Sequence, residues 1–201
     1  VDPGPASPHI AVVDNGRGMS SERLVEAMRM GTVGPLASRG STDLGRFGLG
    51  LKTASLSQGR SLTVATKEEH RRSPAVRRWD LAHVRAVSDW QLLDDPTPVA
   101  QSFADQVEAL PHGTAVIIEN LDRASFLELP GPQLVVHLAA VLETVRLHLG
   151  MVFHRFISED GLQIRLGESL IPAWDPYLVE VSTRLPQETL HFRGQSIDVV
   201  P

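Results

Sequence analysis

The 201-residue sequence predicts an α+β fold, in which helices pack on a sheet that contains an antiparallel hairpin. Three observations predict it. Residues 9–13 and 112–120 are short apolar runs with β-branched members, which are typical of strands. Residues 62–66 and 76–81 flank a charged turn and therefore indicate a hairpin. Leucine and valine recur at helical spacing from 133 to about 156, which predicts a long amphipathic helix.

The first half of the chain alternates regular segments with glycine-rich connections. Residues 9–13 predict a buried strand that runs directly into Asp14. A serine cap followed by an apolar face predicts a short helix that ends at Gly31. Residues 31–44 have no period and are rich in glycine, serine and proline, and loops of this kind are usually functional lids or disordered. A second helix begins near Leu51.

The second half begins with more of the sheet. Residues 90–93 are a candidate extension of the hairpin, and residues 112–120 form the strongest predicted strand, entered through a Gly-Thr pair. After the long helix, residues 162–171 predict another hairpin that Trp-Asp-Pro at 174–176 closes. Residues 197–200 predict one more strand. We place a domain boundary near 157, which divides the chain into 1–157 and 158–201.

Composition limits the classes of protein to which the chain can belong. With 42% hydrophobic and 21% charged residues it fits one ordinary soluble domain, or one domain and part of a second. The absence of cysteine excludes disulfides and thiolate metal sites and suits a reducing compartment, so we expect a cytoplasmic protein. A net charge of −5 argues against nonspecific nucleic-acid binding by this chain. No apolar run approaches 18 residues, and we expect no membrane segment.

A glycine loop precedes the second predicted helix. Gly45, Gly48 and Gly50 have the spacing G-x-x-G-x-G, and such loops bring backbone N–H groups to an anion, most often phosphate. A Walker loop is excluded because Leu51 stands between Gly50 and Lys52. A dinucleotide-binding turn fits poorly because the glycines follow a loop instead of a strand. An ordinary mobile loop is the alternative interpretation.

A second motif, D-x-G-x-G, follows the first predicted strand. It places the carboxylate of Asp14 at the end of the strand, with Gly16 and Gly18 after it and Met19 next. The glycines let the backbone turn closely around a ligand. The same letters also suit a plain Asp-Asn-Gly turn.

The elements follow one another in an order that resembles the GHKL superfamily of gyrase, heat-shock chaperone, histidine kinase and MutL. The order is strand, D-x-G-x-G, helix, long loop, G-x-x-G-x-G, helix, hairpin and a strand opening in Gly-Thr. The resemblance covers residues 9–157 and implies a two-layer α/β sandwich, the Bergerat fold, that binds ATP with Mg²⁺. The start of a transducer-like α/β domain would follow. Residues 47–55 and the Trp-Asp-Pro hairpin are most similar to Microrchidia-like bacterial ATPases.

The resemblance also implies roles for individual residues. Asp14 would accept a hydrogen bond from the amino group of adenine, and Thr114 would share a bridging water with it. Gly16, Gly18 and Met19 would border the base. The implied phosphate contacts are those of Gly45, Phe47, Gly48, Leu49, Gly50, Leu51 and Lys52. A lysine at position 52 that points to solvent is the alternative.

One departure from the family concerns hydrolysis. The magnesium-binding asparagine and the general-base glutamate of the family are spelled E-x-x-x-N, and neither Asn15 nor Asn120 has a glutamate four residues before it. We expect both groups upstream of Val1, so ATP hydrolysis is an expectation for the intact protein. The expected partners are an adenine nucleotide and, in an ATP-dependent way, a second copy. Nucleic acid would bind only through the intact protein. The alternatives are the catalytic ATP-binding domain of a histidine kinase and a non-catalytic interaction module.

Overall fold

The computed structural model describes residues 8–29, 49–122, 128–183, 186–192 and 194–199. The chain forms two compact units, Val1–Ser125 and Phe126–Pro201. The long helix belongs to the second unit, whereas the boundary predicted near 157 placed it in the first domain. That domain division stays a prediction.

The first unit is built on an antiparallel sheet of four strands in the order β1-β4-β2-β3. Helices pack on the sheet, so the predicted α+β sandwich is confirmed. The strand β4 is central, as the sequence indicated. The elements are β1 (His9–Asp14), α1 (Ser21–Met28), α2 (Gly50–Leu56), β2 (Gly59–Lys67), β3 (Ala75–Asp80), α3 (Leu81–Val87), α4 (Pro98–Ala109) and β4 (Gly113–Leu121).

The two faces of the sheet carry separate clusters of buried side chains. On one face Leu62 and Val64 of β2 and Trp79 of β3 pack with Leu24 and Met28 of α1. The opposite face has its own cluster, formed by Ala115, Ile117, Ala100 and Val107. Since side chains alternate along a strand, β2 and β4 can bury residues on both faces at once.

Burial along two strands differs from the prediction. The strand β1 forms as predicted, but Ile10, Val12 and Val13 are exposed, so the prediction of a buried strand is wrong. The physical reason is position, because β1 is an edge strand of the sheet. The strand β2 was predicted to be half-buried, and it is buried along almost its whole length because it lies between β4 and β3.

Two helices of the first unit escaped prediction. Asp80 caps α3 by accepting hydrogen bonds from the backbone N–H groups of Ala82 and His83. Thr97 caps α4, and Pro98 occupies its first turn, where a missing N–H is not needed. The residues between these helices do not form the predicted extension of the sheet, apart from one isolated bridge between Arg78 and Leu93.

Arg78 links the sheet to the connection before α4. Its side chain is 10% exposed and donates to the carboxylates of Asp80, at 2.7 Å, and Asp95, at 3.0 Å. Its Nε also donates to the backbone carbonyl of Asp95. The planar guanidinium can serve these acceptors together, which a lysine could not do.

The second unit contains two helices and two separate two-stranded sheets. The predicted long helix is confirmed, although it breaks at Phe153, and the hairpin around Gly167 is confirmed as well. The predicted last strand forms and pairs with a strand that was not predicted. The elements are α5 (Gly131–Val152), α6 (His154–Ser158), β5 (Arg165–Leu166), β6 (Ser169–Leu170), β7 (Glu188–Phe192) and β8 (Gln195–Val199).

The helix α5 is apolar and largely exposed. Val135 and Val136 are 67% and 71% exposed, and Glu143 forms an ion pair with Arg146 at 2.6 Å. Among the described residues, α5 is the one helix whose length and composition would let it cross a membrane. A single helix of this kind is weak evidence for a membrane span, so the expectation of no membrane segment stays untested.

The Trp-Asp-Pro motif forms a turn after the β5–β6 hairpin. The carboxylate of Asp175 accepts hydrogen bonds from the backbone N–H groups of Val179 and Tyr177. These two bonds hold the pKa of Asp175 below its usual range because they favour the ionised form. The motif therefore has a local structural role within the second unit.

The replacement Thr63→Val is expected to stabilise the first unit. The Thr63 side chain is fully buried, and its hydroxyl finds no hydrogen-bond partner in the described part of the chain. A buried hydroxyl without a partner costs about 1–3 kcal/mol, and valine has a similar shape. We expect urea denaturation to give a free energy of unfolding about 1 kcal/mol higher for the variant. Thr63→Ala, which also removes a methyl group, is the control, and a valine variant less stable than wild type would contradict the expectation.

Candidate functional site

Three polar side chains lie in a row across neighbouring strands at one end of the sheet. Asp14 of β1 is directly opposite Thr114 of β4, and Thr114 is directly opposite Thr66 of β2. Residues directly opposite each other on paired strands point to the same face. A carboxylate and two hydroxyls are therefore brought together on one face, and two of the three were predicted as site residues.

The turn after β1 holds Asp14 in place and leaves part of its carboxylate available. The backbone N–H of Gly16 donates to Oδ1 of Asp14 at 2.7 Å. The ring of His112, just before β4, donates from Nδ1 to the carbonyl of Gly16 at 2.8 Å. Within the described residues, Oδ2 accepts no hydrogen bond. One oxygen of the carboxylate is therefore bound to the turn, and the other can accept from a donor outside the turn.

Two glycines are required where backbone segments meet. Gly18 has φ +67°, and a Cβ at this position would overlap the carbonyl oxygen of Lys67 at the end of β2. A Cβ at Gly113 would overlap the carbonyl oxygen of Asp14. Both motifs therefore carry glycine because the Asp14 turn packs directly on the ends of β2 and β4. That the backbone at Gly16 and Gly18 borders a bound base stays a prediction.

Thr66 is the residue of this site that the sequence interpretation missed. Its Oγ1 accepts from the backbone N–H of Met19 at 3.0 Å and lies 2.9 Å from Oγ1 of Thr114. It also donates to the carbonyl of Gly113 at 3.2 Å. Thr66 is fully buried, and Thr114 is 9% exposed. Its position opposite the Gly-Thr pair follows from the strand register, which a single sequence does not fix.

The glycine-loop residues are only partly described. Gly45, Phe47 and Gly48 lie outside the described residues. The remaining three, Leu49, Gly50 and Leu51, lie at the beginning of α2, and both leucines are 38% exposed. A Cβ at Gly50 would meet no atom of the described residues within 4 Å. The phosphate contacts of all six residues stay predictions.

Lys52 is buried against the C-terminal end of α1. Its side chain is 2% exposed, and Nζ donates to the carbonyl of Ala27 at 2.7 Å, so the solvent-facing alternative is wrong. Trp79 donates from Nε1 to the next carbonyl, that of Met28, at 2.9 Å. Burial lowers the pKa of Lys52, since desolvation disfavours its ammonium form. In the described structure, the amine of Lys52 is hydrogen-bonded to a carbonyl in the last turn of α1. Its contact with phosphate stays a prediction.

A small cavity lies beside the row of polar side chains. Its volume is about 260 Å³, and Met19, Thr66, Lys67 and Arg71 are among the residues around it. Asp14 and Thr114 are not among them. The candidate site is therefore defined by the hydrogen-bonded row and its turn, and the cavity adjoins it on the side of β2.

The comparison with known families gives the site its context. A family described as histidine kinase-, DNA gyrase B- and HSP90-like ATPase matches residues 1–114, a range that includes both Asp14 and Thr114. The chain belongs to this family of ATPases. Membership implies ATP binding, usually with Mg²⁺, and ATPase activity in general. No curated protein matches the chain.

The described residues include a row of polar side chains but no group of three or more metal-binding side chains. The row of Asp14, Thr114 and Thr66 offers the acceptors and hydroxyls that read a base. In the described ranges, no group of three or more His, Cys, Asp or Glu residues could hold a metal ion. Mg²⁺ at a nucleotide needs only one or two protein ligands, so the expected Mg²⁺ ligand upstream of Val1 stays a prediction.

Replacing Lys52 by methionine is expected to remove a gain in stability at alkaline pH. The pKa of Lys52 in the folded protein is below the unfolded value of about 10.4. Between these two values the unfolded chain binds more protons, so the free energy of unfolding of the wild type rises with pH in that window. Urea denaturation at several pH values should show the free energy of unfolding of the wild type rising relative to that of Lys52→Met as the pH approaches about 10.

Lys52→Arg is the matched control, because arginine keeps its charge throughout this range. It should lack the alkaline gain, as the methionine variant does. If the free energies of unfolding of the wild type and Lys52→Met change with pH in parallel, the expectation is contradicted.

Proposed function

We propose that this chain forms the base-reading part of an ATP site in a nucleotide-gated clamp of the Microrchidia-like type. The observation that carries the proposal is the row formed by Asp14, Thr114 and Thr66 across β1, β4 and β2. The family match supports ATP as the nucleotide. In this proposal Asp14 reads the base, and Thr114 assists it.

The chemistry of adenine suits these groups. The amino group of the base carries two N–H donors, and the ionised carboxylate of Asp14 is a pure acceptor. Oδ1 is held by the Gly16 N–H, so Oδ2 would take the hydrogen bond from the base. A donor to a charged acceptor forms a stronger hydrogen bond than a neutral pair does. Thr114 would add a second polar contact, directly or through a water.

The phosphate end is assigned by the glycine spacing. Backbone N–H groups of Gly45, Gly48 and Gly50 would hold the phosphates, and the exposed beginning of α2 would contribute its unpaired donors. When bound, Mg²⁺ would neutralise phosphate charge. We propose that the general base and the metal ligand come from the intact protein, and family membership supports ATPase activity in general.

Asp14→Asn is the direct test of base reading. Asparagine keeps an oxygen for the Gly16 N–H, so the turn should survive, but the ionised acceptor is lost. A hydrogen bond to a charged group contributes about 1.5–3 kcal/mol, so the affinity for ADP should fall about 10- to 150-fold. Isothermal titration calorimetry measures it. Asp94→Asn, an exposed carboxylate far along the chain, is the control and should bind as the wild type does. Equal affinities for all three proteins would refute the assignment.

The clamp part of the proposal concerns association between copies. A non-hydrolysable ATP analogue should shift the intact protein from monomer to dimer, as light scattering after size-exclusion chromatography would measure. Asp14→Asn should need about 10- to 150-fold more analogue for the same shift, since its affinity is lower. A mass that does not change at saturating analogue would exclude nucleotide-gated association while leaving nucleotide binding in place.

A further inference from the structure

We infer that Thr66 fixes the direction of the Thr114 hydroxyl proton and so makes the site selective for a 6-amino purine over a 6-oxo purine. The inference rests on the proposed function, because it assumes that a purine lies beside Thr114. It adds a specificity-determining residue that does not itself touch the base. Thr66 acts through Thr114 and is thus a positioning residue.

The first step is a count of protons around Thr66. A threonine hydroxyl has one proton to donate and two lone pairs that accept. The backbone N–H of Met19 uses one lone pair, at 3.0 Å. The carbonyl of Gly113, at 3.2 Å, can only accept, so it takes the proton of Thr66. One lone pair of Thr66 remains for its third neighbour, Oγ1 of Thr114 at 2.9 Å.

The second step follows for Thr114. Its contact with Thr66 is a hydrogen bond only if Thr114 donates, because the proton of Thr66 is already engaged by Gly113. All three contacts of Thr66 are satisfied in this arrangement alone. The opposite direction would leave the Gly113 carbonyl without this donor. The proton of Thr114 thus points into the protein, and its lone pairs are left for a ligand.

Burial makes this arrangement persistent. Thr66 is fully buried and Thr114 is 9% exposed, so water has little access to supply an alternative donor or acceptor. Hydrogen bonds left unmade in such an environment are costly. The strand register also holds the two threonines directly opposite each other. The hydroxyl of Thr114 therefore does not rotate to suit each ligand that binds.

The third step concerns the ligand. Beside the 6-position of a purine, Asp14 offers a carboxylate oxygen and Thr114 offers a lone pair, and both accept. A 6-amino group has the protons that these acceptors need. A 6-oxo group brings a third acceptor, and neither side chain has a proton for it. A 6-oxo purine also carries an N1–H, which can donate to Asp14, but its 6-oxo group then still faces the lone pair of Thr114. Selectivity of this kind is strong because unpaired polar groups are buried.

The test compares ADP with inosine diphosphate, which differs in having the 6-oxo group. Calorimetric titrations measure the ratio of the affinity for ADP to the affinity for inosine diphosphate. The ratio is compared among the wild type, Thr66→Val and Thr66→Ser. Valine removes the acceptor for the Thr114 proton, so that proton can turn outward to a 6-oxo group. We expect the ratio to fall about tenfold in Thr66→Val, the factor that one ordinary hydrogen bond carries. Thr66→Ser restores the hydroxyl and should keep the wild-type ratio.

Thr63→Val is the matched control. It makes the same substitution on the same strand, but Thr63 lies on the opposite face, beside Ile117, and has no hydrogen-bond partner among the described residues. Its ratio should equal that of the wild type. A merely structural role for Thr66 would weaken both nucleotides alike and leave the ratio unchanged. An unchanged ratio in a folded Thr66→Val protein would overturn the inference.

A second measurement does not depend on nucleotide binding. Buried hydroxyl protons that exchange slowly with water can be observed by NMR. The Thr114 hydroxyl proton should be observed in the wild type, with a nuclear Overhauser effect to Thr66. A proton directed away from Thr66 would overturn the inference even if ADP binds. If the wild type binds neither nucleotide but shows the expected proton, the proposed function fails and the hydrogen-bond assignment stands. This measurement also decides the matter if Thr66→Val does not fold.

Discussion

The close approach of the Asp14 turn to the ends of β2 and β4 is the constraint on which the candidate site depends. A Cβ at Gly18 would overlap the Lys67 carbonyl, and a Cβ at Gly113 would overlap the Asp14 carbonyl. This contact aligns three strands at the same end, and the alignment brings a carboxylate from β1 beside hydroxyls from β4 and β2. Geometry of the backbone, more than any single side chain, assembles the site.

Buried polar groups in the first unit fall into two kinds. Thr66 and Lys52 are buried and hydrogen-bonded to backbone groups, Thr66 at the turn after β1 and Lys52 at the end of α1. Ser61 and Thr63 are buried on the other face of the sheet, and in the described structure their hydroxyls have no partner. The α4 face also carries hydrogen-bonded polar groups, because Lys67 donates to the carbonyl of Glu108 and Glu119 accepts from Thr97. Buried polar groups therefore connect separate segments on both faces, and the unpartnered hydroxyls of Ser61 and Thr63 lie among them on the α4 face.

Local patterns predicted the parts of the fold that local forces decide. The capped helix α1, the β2–β3 hairpin and the β-branched strand β4 all form where their patterns indicated. The exposure of β1 was not predictable, because an apolar run does not reveal that its strand lies at an edge. Helix α4 was missed because Asp-Pro-Thr-Pro before it suggests a break, although Thr97 and Pro98 also begin a helix. Thr66 was missed since its partners are 47 and 48 residues away in sequence.

The burial of Lys52 has a further consequence for the chemistry of the chain surface. Lys52 and Lys67 are the lysines of this sequence, and their side chains are 2% and 6% exposed. Acylating reagents, crosslinkers that react with amines and enzymes that modify lysine would therefore find almost no accessible side-chain amine on the folded chain. Positive charge at its surface comes from arginine, which such reagents do not modify. Labelling at a lysine would thus report local unfolding.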